Sequence, residues 1–240
     1  VSGRSATRGG IRPRPAVTLE GVILAIDTSL GSAVAVVEAD GAVRSQLESS
    51  DPRGHAEVIG TLIDRALVEA SLSPSAITHV AAGMGPGPFT GLRVGIAAAR
   101  AFAMGRGIPV VPVVSHDALA LELLLHDALT GGYEGDDDLA FAVVTDARRR
   151  ESAYTVYRGL DDDGLPVRVG EPALSRSDAL DDVLASAGAL RRDVERIPAG
   201  LLGVLAARAL SASRTIGPDE PLYLRSPDVT LPSAPKRVIA

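Results

Sequence analysis

The 240-residue chain carries 24 Lys and Arg against 30 Asp and Glu, a net charge of -6, with no Cys, no Trp, 4 Tyr and 3 Phe. Without cysteine there is no disulfide scaffold, cysteine zinc cluster, iron–sulfur site or thiol nucleophile, a composition that suits a reducing cytoplasm. An acidic, ring-poor chain is not built to bind nucleic acid on its own, and its single lysine, Lys236, supplies no phosphate-loop or Schiff-base lysine to the body of the protein.

Residues 1–20, with Arg4, Arg8, Arg12 and Arg14 among Gly and Pro, read as a disordered basic extension; the apolar stretch that follows carries Glu20 and Asp27, unlike a secretory signal. Val22 to Ile26 is an apolar run ending in Asp27, and a polar turn leads to a second run from Ala33 to Val37. Asp40-Gly41 is a hairpin signal before a third strand, so the chain opens with a three-stranded meander. His55 to Leu72 puts Val58, Ile59, Leu62, Ile63, Ala66, Leu67 and Ala70 at helical spacing. A strand over Ile77–Ala82, a Gly/Pro loop, a helix from Thr90 to Gly105, a strand over Ile108–Val114 and a helix over Asp117–Leu129 complete the first half. The helix after the loop presents Ile96, Ala97, Ala98, Ala99, Ala101, Phe102, Ala103 and Met104 around nearly its whole circumference, which predicts burial on more than one side, the second by another subunit.

Past a Gly- and Asp-rich linker over residues 130–138 the opening pattern returns: an apolar run from Leu139 ends in Asp146, a strand covers Ser152 to Arg158, Asp161 to Gly164 forms an acidic turn, and a strand starts at Leu165. This repetition suggests an internal duplication, with helices over Ser177–Ser186 and Leu201–Ser213 closing the second half. Two α/β lobes with mixed sheets flanked by helices, facing across a cleft, are the architecture of actin, sugar kinases and Hsp70. The expected domains are the extension at 1–20, a first lobe over 21–115 and a second over 116–240, whose last helix and tail can return to the first lobe.

Gly83 to Gly95 joins a strand to a helix and matches neither familiar phosphate motif: Leu92-Arg93 stands where a P-loop needs Lys-Ser or Lys-Thr, and Pro88 occupies the third glycine position of a dinucleotide fingerprint. It reads either as a rigid connection that lets the helix pack close to the sheet or as an anion site at a helix N-terminus. Asp27 with Thr28 and Ser29 is either a turn-former or a holder of magnesium-bound water or phosphate. His55-Ala56-Glu57 lacks the cysteines of a zinc deaminase and reads as a helix start, and the spacing of His116 and His126 excludes a zinc-protease helix. Arg148-Arg149-Arg150 is either a solvated charged turn or a contact for a partner or RNA phosphate.

Ile23 to Ser29, His55-Ala56-Glu57, Gly85-Pro86-Gly87-Pro88-Phe89-Thr90-Gly91-Leu92-Arg93-Val94-Gly95, Asp146 to Glu151, and Pro221-Leu222-Tyr223-Leu224-Arg225 followed by Asp228-Val229-Thr230 resemble the TsaB (YeaZ) family. The resemblance implies an actin-like ATPase (ASKHA) fold used as a scaffold. It implies a cytoplasmic bacterial subunit that pairs with the catalytic TsaD and the ATPase TsaE, which together move threonylcarbamoyl from its adenylate to the adenosine beside the anticodon of tRNAs reading codons that begin with A. It also implies no catalytic residue, metal, cofactor or membrane on this chain, tRNA reached only through the complex, and a homodimer when the chain is alone. The expected partner interface is Val58, Ile59, Leu62, Ile63, Ala66, Ala98 and Phe102. The expected vestigial nucleotide or anion loops are Asp27, Thr28, Gly85, Gly87, Thr90, Gly91 and Arg93. The family usually has Ser at the Pro88 position and a strand between Leu184 and Leu201, of which Ala187 to Leu190 is what remains here; the second lobe is therefore expected to be shortened. The rival reading is a free-standing actin-fold ATPase or kinase using Asp27 and Asp146.

Overall fold

The computed structural model describes residues 21–49, 54–131 and 139–225, so the expected extension at 1–20 and the Asp228-Val229-Thr230 match lie outside the described residues. Strands β1 (Val22–Asp27), β2 (Ser32–Glu38) and β3 (Val43–Ser49) form the meander and are followed by helix α1 (His55–Glu69). Strand β4 (Ile77–Gly83), helix α2 (Phe89–Arg106), strand β5 (Val110–Val113) and helix α3 (Ser115–Thr130) complete the first half. The second half runs β6 (Ala140–Asp146), β7 (Glu151–Leu160), β8 (Pro166–Arg168), β9 (Ala173–Arg176), α4 (Leu180–Ser186), β10 (Ala189–Asp193) and α5 (Ala199–Ser211).

The first sheet has the order β3-β2-β1-β4-β5, antiparallel through the meander and parallel from β1 to β5. The second has the order β10-β6-β7-β8, with β9 also pairing β7, and its one parallel pair is β10 with β6. Successive residues of β1 alternate between two cores: Leu24 and Ile26 join the cluster with α1 and α2, whereas Ile23 and Ala25 join the cluster with α3 and α5. A strand covered on both faces has no polar face to show, which is why Val22 to Ile26 reads as a continuous apolar run. Strand β6 repeats the device, with Phe141 and Val143 in the shared inner core and Ala142 and Val144 against Leu180 and Leu184 of α4. The layers are therefore α1 with α2, the first sheet, α5 with α3, the second sheet, and α4. Helix α5 lies on the first sheet although its chain leaves the second. The rings of Phe141 and Tyr157 stack at 5.8 Å between centroids in the inner core.

One expectation is corrected. The strand thought to be reduced to Ala187–Leu190 is β10, which pairs with β6 along its whole length from Ala189↔Ala140 to Asp193↔Val144. Beyond Leu190 the strand continues through Arg191 and Arg192, which break the apolar pattern; they are ion-paired to Asp181, Asp193 and Asp127, as an outermost strand with a solvated flank permits. No helix among the described residues is long and apolar enough to cross a membrane.

Candidate functional site

The turn between β1 and β2, the starts of α1 and α2, and the β6–β7 turn converge on a cleft of about 1270 Å³ between the sheets. Its first-sheet wall includes Ser29 to Ala33, His55 and Pro88 to Gly91; Asp146, Arg148, Glu195 and Arg196 stand on the other side. A smaller cavity of about 290 Å³ adjoins it, sharing Phe89, Asp146 and Arg148 and adding Leu174, Leu224 and Arg225.

Asp27 ends β1 but does not open into the cleft. It is 1% exposed. Its Oδ1 accepts the Ser29 N–H at 2.7 Å and the Ser29 hydroxyl at 2.6 Å, and its Oδ2 accepts the Ser115 hydroxyl at 2.5 Å. Burial pushes the carboxyl pKa up, opposed by these hydrogen bonds. Gly83 is the companion of this arrangement, because a Cβ there would sit 1.8 Å from Asp27 Oδ2. Thr28 ties the same turn to α2: its hydroxyl donates to the Gly91 carbonyl at 2.7 Å and accepts the Gly95 N–H at 3.0 Å. A Cβ at Gly95 would come within 2.2 Å of that hydroxyl oxygen. Gly85 has φ 92°, and its N–H donates to Ser115 Oγ at 3.0 Å. Gly87 packs on Ser29. The structure thus brings Asp27, Thr28, Gly85, Gly87 and Gly91 together as one hydrogen-bonded and packed junction, with Thr90 and Arg93 exposed at its edge. His55 completes this wall, its Nδ1 2.8 Å from the Ser32 hydroxyl.

The Gly/Pro loop and the Pro221–Arg225 motif also meet here. Leu222 N–H donates to the Met84 carbonyl at 2.8 Å, Tyr223 packs on Phe89 with centroids 4.7 Å apart, and Arg93 lies 3.9 Å over the Phe89 ring while donating to the Tyr223 hydroxyl at 3.3 Å. Arg225 then pairs with Glu151 of β7. The segment from Pro221 to Arg225 spans the first-sheet loop and the second sheet.

The start of α3 anchors a buried polar cluster of which the sequence singled out only His116, and that only to exclude a zinc-protease helix. His116 is fully buried between the hydroxyls of Thr155 at 2.8 Å and Thr145 at 3.0 Å, and burial lowers its pKa to about 3, which keeps it neutral. Asp117 accepts the Tyr157 hydroxyl at 2.8 Å and pairs with Arg168 Nε at 3.0 Å; burial raises its pKa to about 6 in spite of the arginine. Their partners lie 29 to 51 residues away, and adjacent His-Asp carries no spacing signal that would reveal them.

The expected partner residues divide. Ile59 at 7% exposure, Leu62 at 5% and Ala66 at 0% belong to the core against the first sheet, so they cannot present a docking surface without unfolding the layer. Val58, Ile63, Ala98 and Phe102 are half-buried on the flanks of α1 and α2. The exposed side of the pair is formed by residues such as Gly60, Ala97, Ala101 and Met104, the last 82% exposed. Helical spacing revealed the stripe but could not tell which side faces the sheet.

Two mixed sheets and five α-helices among the described residues make an α/β fold, which matches that of YeaZ from Pseudomonas aeruginosa with a TM-score of 0.64 at 23% identity over 85% of this chain and 100% of that one. Residues 46–167 match the family described as TsaD, tRNA N6-adenosine threonylcarbamoyltransferase. An uncharacterized protein of Mycobacterium tuberculosis is 36% identical over 220 residues, covering 86% of this chain and 92% of that protein. The tRNA N6-adenosine threonylcarbamoyltransferase of Streptococcus pneumoniae is 39% identical over 107 residues, which is 38% of this chain and 32% of the enzyme. The chain belongs to the family matched by residues 46–167, and it is TsaB-like in fold.

Proposed function

We propose that this chain is a non-catalytic scaffold in tRNA threonylcarbamoyl-adenosine modification, pairing with the catalytic TsaD and working with the ATPase TsaE, and forming a homodimer when alone. The observation that carries the reading is Asp27. A free-standing actin-fold ATPase would need that strand-end carboxylate to hold a metal-bound water, and here both of its oxygens are taken by Ser29 and Ser115 at 1% exposure. The Gly/Pro loop is likewise engaged in packing α2 onto the β1 turn. Further support comes from the limited match to the streptococcal transferase, 32% of that enzyme. The β1–β2 and β6–β7 hairpins each begin with a strand-end aspartate, and each has a parallel neighbour in β4 or β10, which supports an origin by duplication. The pairing surface we assign is the exposed side of α1 and α2.

Size-exclusion chromatography of the chain mixed with TsaD tests the pairing. The reading expects a co-eluting complex for the wild type and its loss in Ala101→Arg, with the variant still folded. Separate elution of the two wild-type proteins would refute it.

A further inference from the structure

We propose that the Arg148–Arg150 turn is a phosphate-contact site through which this chain itself touches RNA; the choice of RNA as ligand rests on the reading above. The turn joins β6 to β7 at the mouth of both cavities, and Arg148 lines each of them. Arg148, Arg149 and Arg150 have φ of 65°, 53° and 63°, so three consecutive non-glycine residues occupy the left-handed region. Each is less favourable than a right-handed conformation, and glycine or asparagine would fill such positions with less strain. A turn selected only to reverse the chain gains nothing from arginine there. Strain of this kind clusters at sites where the side chains have a task.

All three side chains are exposed, in a chain whose net charge is -6. Among the described residues, neither Arg148 nor Arg150 has an ion pair, a state shared with Arg93, Arg100, Arg106, Arg158 and Arg208; what sets the turn apart is three adjacent exposed arginines. The backbone is held instead by Asp146, whose Oδ1 accepts the Arg148 N–H at 2.8 Å, and by Glu151 N–H donating to the Arg148 carbonyl at 3.0 Å.

The neighbouring chemistry decides the class of ligand. The 290 Å³ cavity beside the turn is walled by Leu30, Phe89, Leu174 and Leu224; Arg148 and Arg149 line its rim together with Asp146, whose Oδ1 accepts the Arg148 N–H, and with Arg225, which is paired to Glu151. An apolar slot with a ring in its wall and guanidinium groups at its mouth suits a nucleotide unit, whose base takes the slot while its phosphate meets the arginines. An acidic peptide can meet the same rim with carboxylates but fills the slot only where it carries an aromatic residue, whereas every nucleotide unit brings a planar base and a phosphate together. Because the rest of the chain is acidic, RNA affinity would depend on these local contacts rather than on a general basic field.

The test is fluorescence anisotropy of a labelled tRNA with the full chain assembled on TsaD, across a salt series, comparing wild type with Arg148→Asn/Arg150→Asn and Arg148→Lys/Arg150→Lys. Asparagine tolerates the left-handed region, so the first variant removes charge and keeps the turn. Each phosphate contact carries a salt slope of about 0.7–0.9, worth about fivefold in affinity at about 0.15 M salt. The asparagine pair is expected to bind tRNA about twentyfold more weakly, with a slope lower by about 1.5, while the lysine pair keeps the wild-type slope. Should the asparagine pair melt early, Arg148→Gly/Arg150→Gly removes the same charge with a relaxed backbone. Unchanged affinity and slope in the uncharged variants overturn the proposal, as does weaker binding with no change of slope, or loss of TsaD pairing with tRNA affinity intact. Stimulation of tRNA modification by the wild-type chain, measured separately, distinguishes failure of this site from failure of the scaffold reading.

Discussion

His116 and Asp117 are adjacent, both buried, and titrate in opposite senses, so their variants should show opposite pH dependences of stability. His116 has a native pKa of about 3 against 6.5 when unfolded. The unfolded chain therefore takes up a proton that the native chain refuses, and stability falls as pH drops below about 6.5. Between pH 7 and pH 4.5 this loss is about 2.5 kcal/mol, at about 1.36 kcal/mol per pH unit. Asp117 has a native pKa of about 6 against 3.8 unfolded. Its native form binds the proton more tightly, so its contribution is present at low pH and is lost as pH rises through the interval from 3.8 to about 6. Over the same two pH values it gains about 1.9 kcal/mol on acidification, nearly cancelling the histidine. Urea unfolding at the two pH values, with the m-value checked for constancy, reads the difference. Relative to wild type, Asp117→Asn should lose about 2 kcal/mol more on going to pH 4.5, and His116→Gln about 2.5 kcal/mol less. If both variants tracked the wild-type pH dependence, neither group would be buried and titrating as described.

Gly95→Ala places a methyl 2.2 Å from Thr28 Oγ1 and should cost about 2–3 kcal/mol by thermal melt, through lost hydrogen bonds and a displaced turn. Adding Thr28→Ala should restore part of that, giving a coupling energy of about 1 kcal/mol or more; strict additivity would mean that the two residues do not touch. Leu62→Arg puts an unpaired charge into the core under α1 and should unfold the chain, at a cost of about 4 kcal/mol or more, visible as lost far-ultraviolet ellipticity. Ala101→Arg, exposed on α2, should keep the far-ultraviolet ellipticity that Leu62→Arg loses; its loss would mean that the outer side of α2 is covered within the chain.

Most of the elements were legible because their residues are covered on both faces, and a strand such as Val22–Asp27 between two helical layers leaves an unmistakable apolar run. Strands β9 and β10 were not, for a related reason. They lie on the second sheet with exposed flanks, and Arg191 and Arg192 are held by carboxylates from α3, α4 and the strand itself, so neither hydrophobicity nor alternation marks them. At the site, the sequence displayed Asp27 and the Gly/Pro loop but not what they do. The aspartate's role is set by Ser115, 88 residues away, and the loop's by Thr28, 63 to 67 residues away. The same long range hid Asp117 with Tyr157 and Arg168. In α1 the period identified an apolar stripe, yet the sheet takes Ile59, Leu62 and Ala66 for the core and leaves the flanking positions to the surface.

The most direct measurement of the scaffold role is the rate of threonylcarbamoyl transfer to tRNA by TsaD and TsaE, with no addition, with the wild-type chain, and with Asp27→Asn shown to be folded by its melt. The expected result is strong stimulation by the wild type and equal stimulation by Asp27→Asn, since the proposed role of that carboxylate is to hold the turn. Transfer that proceeds as fast without the chain, or a folded, TsaD-binding Asp27→Asn that fails to stimulate, would contradict it.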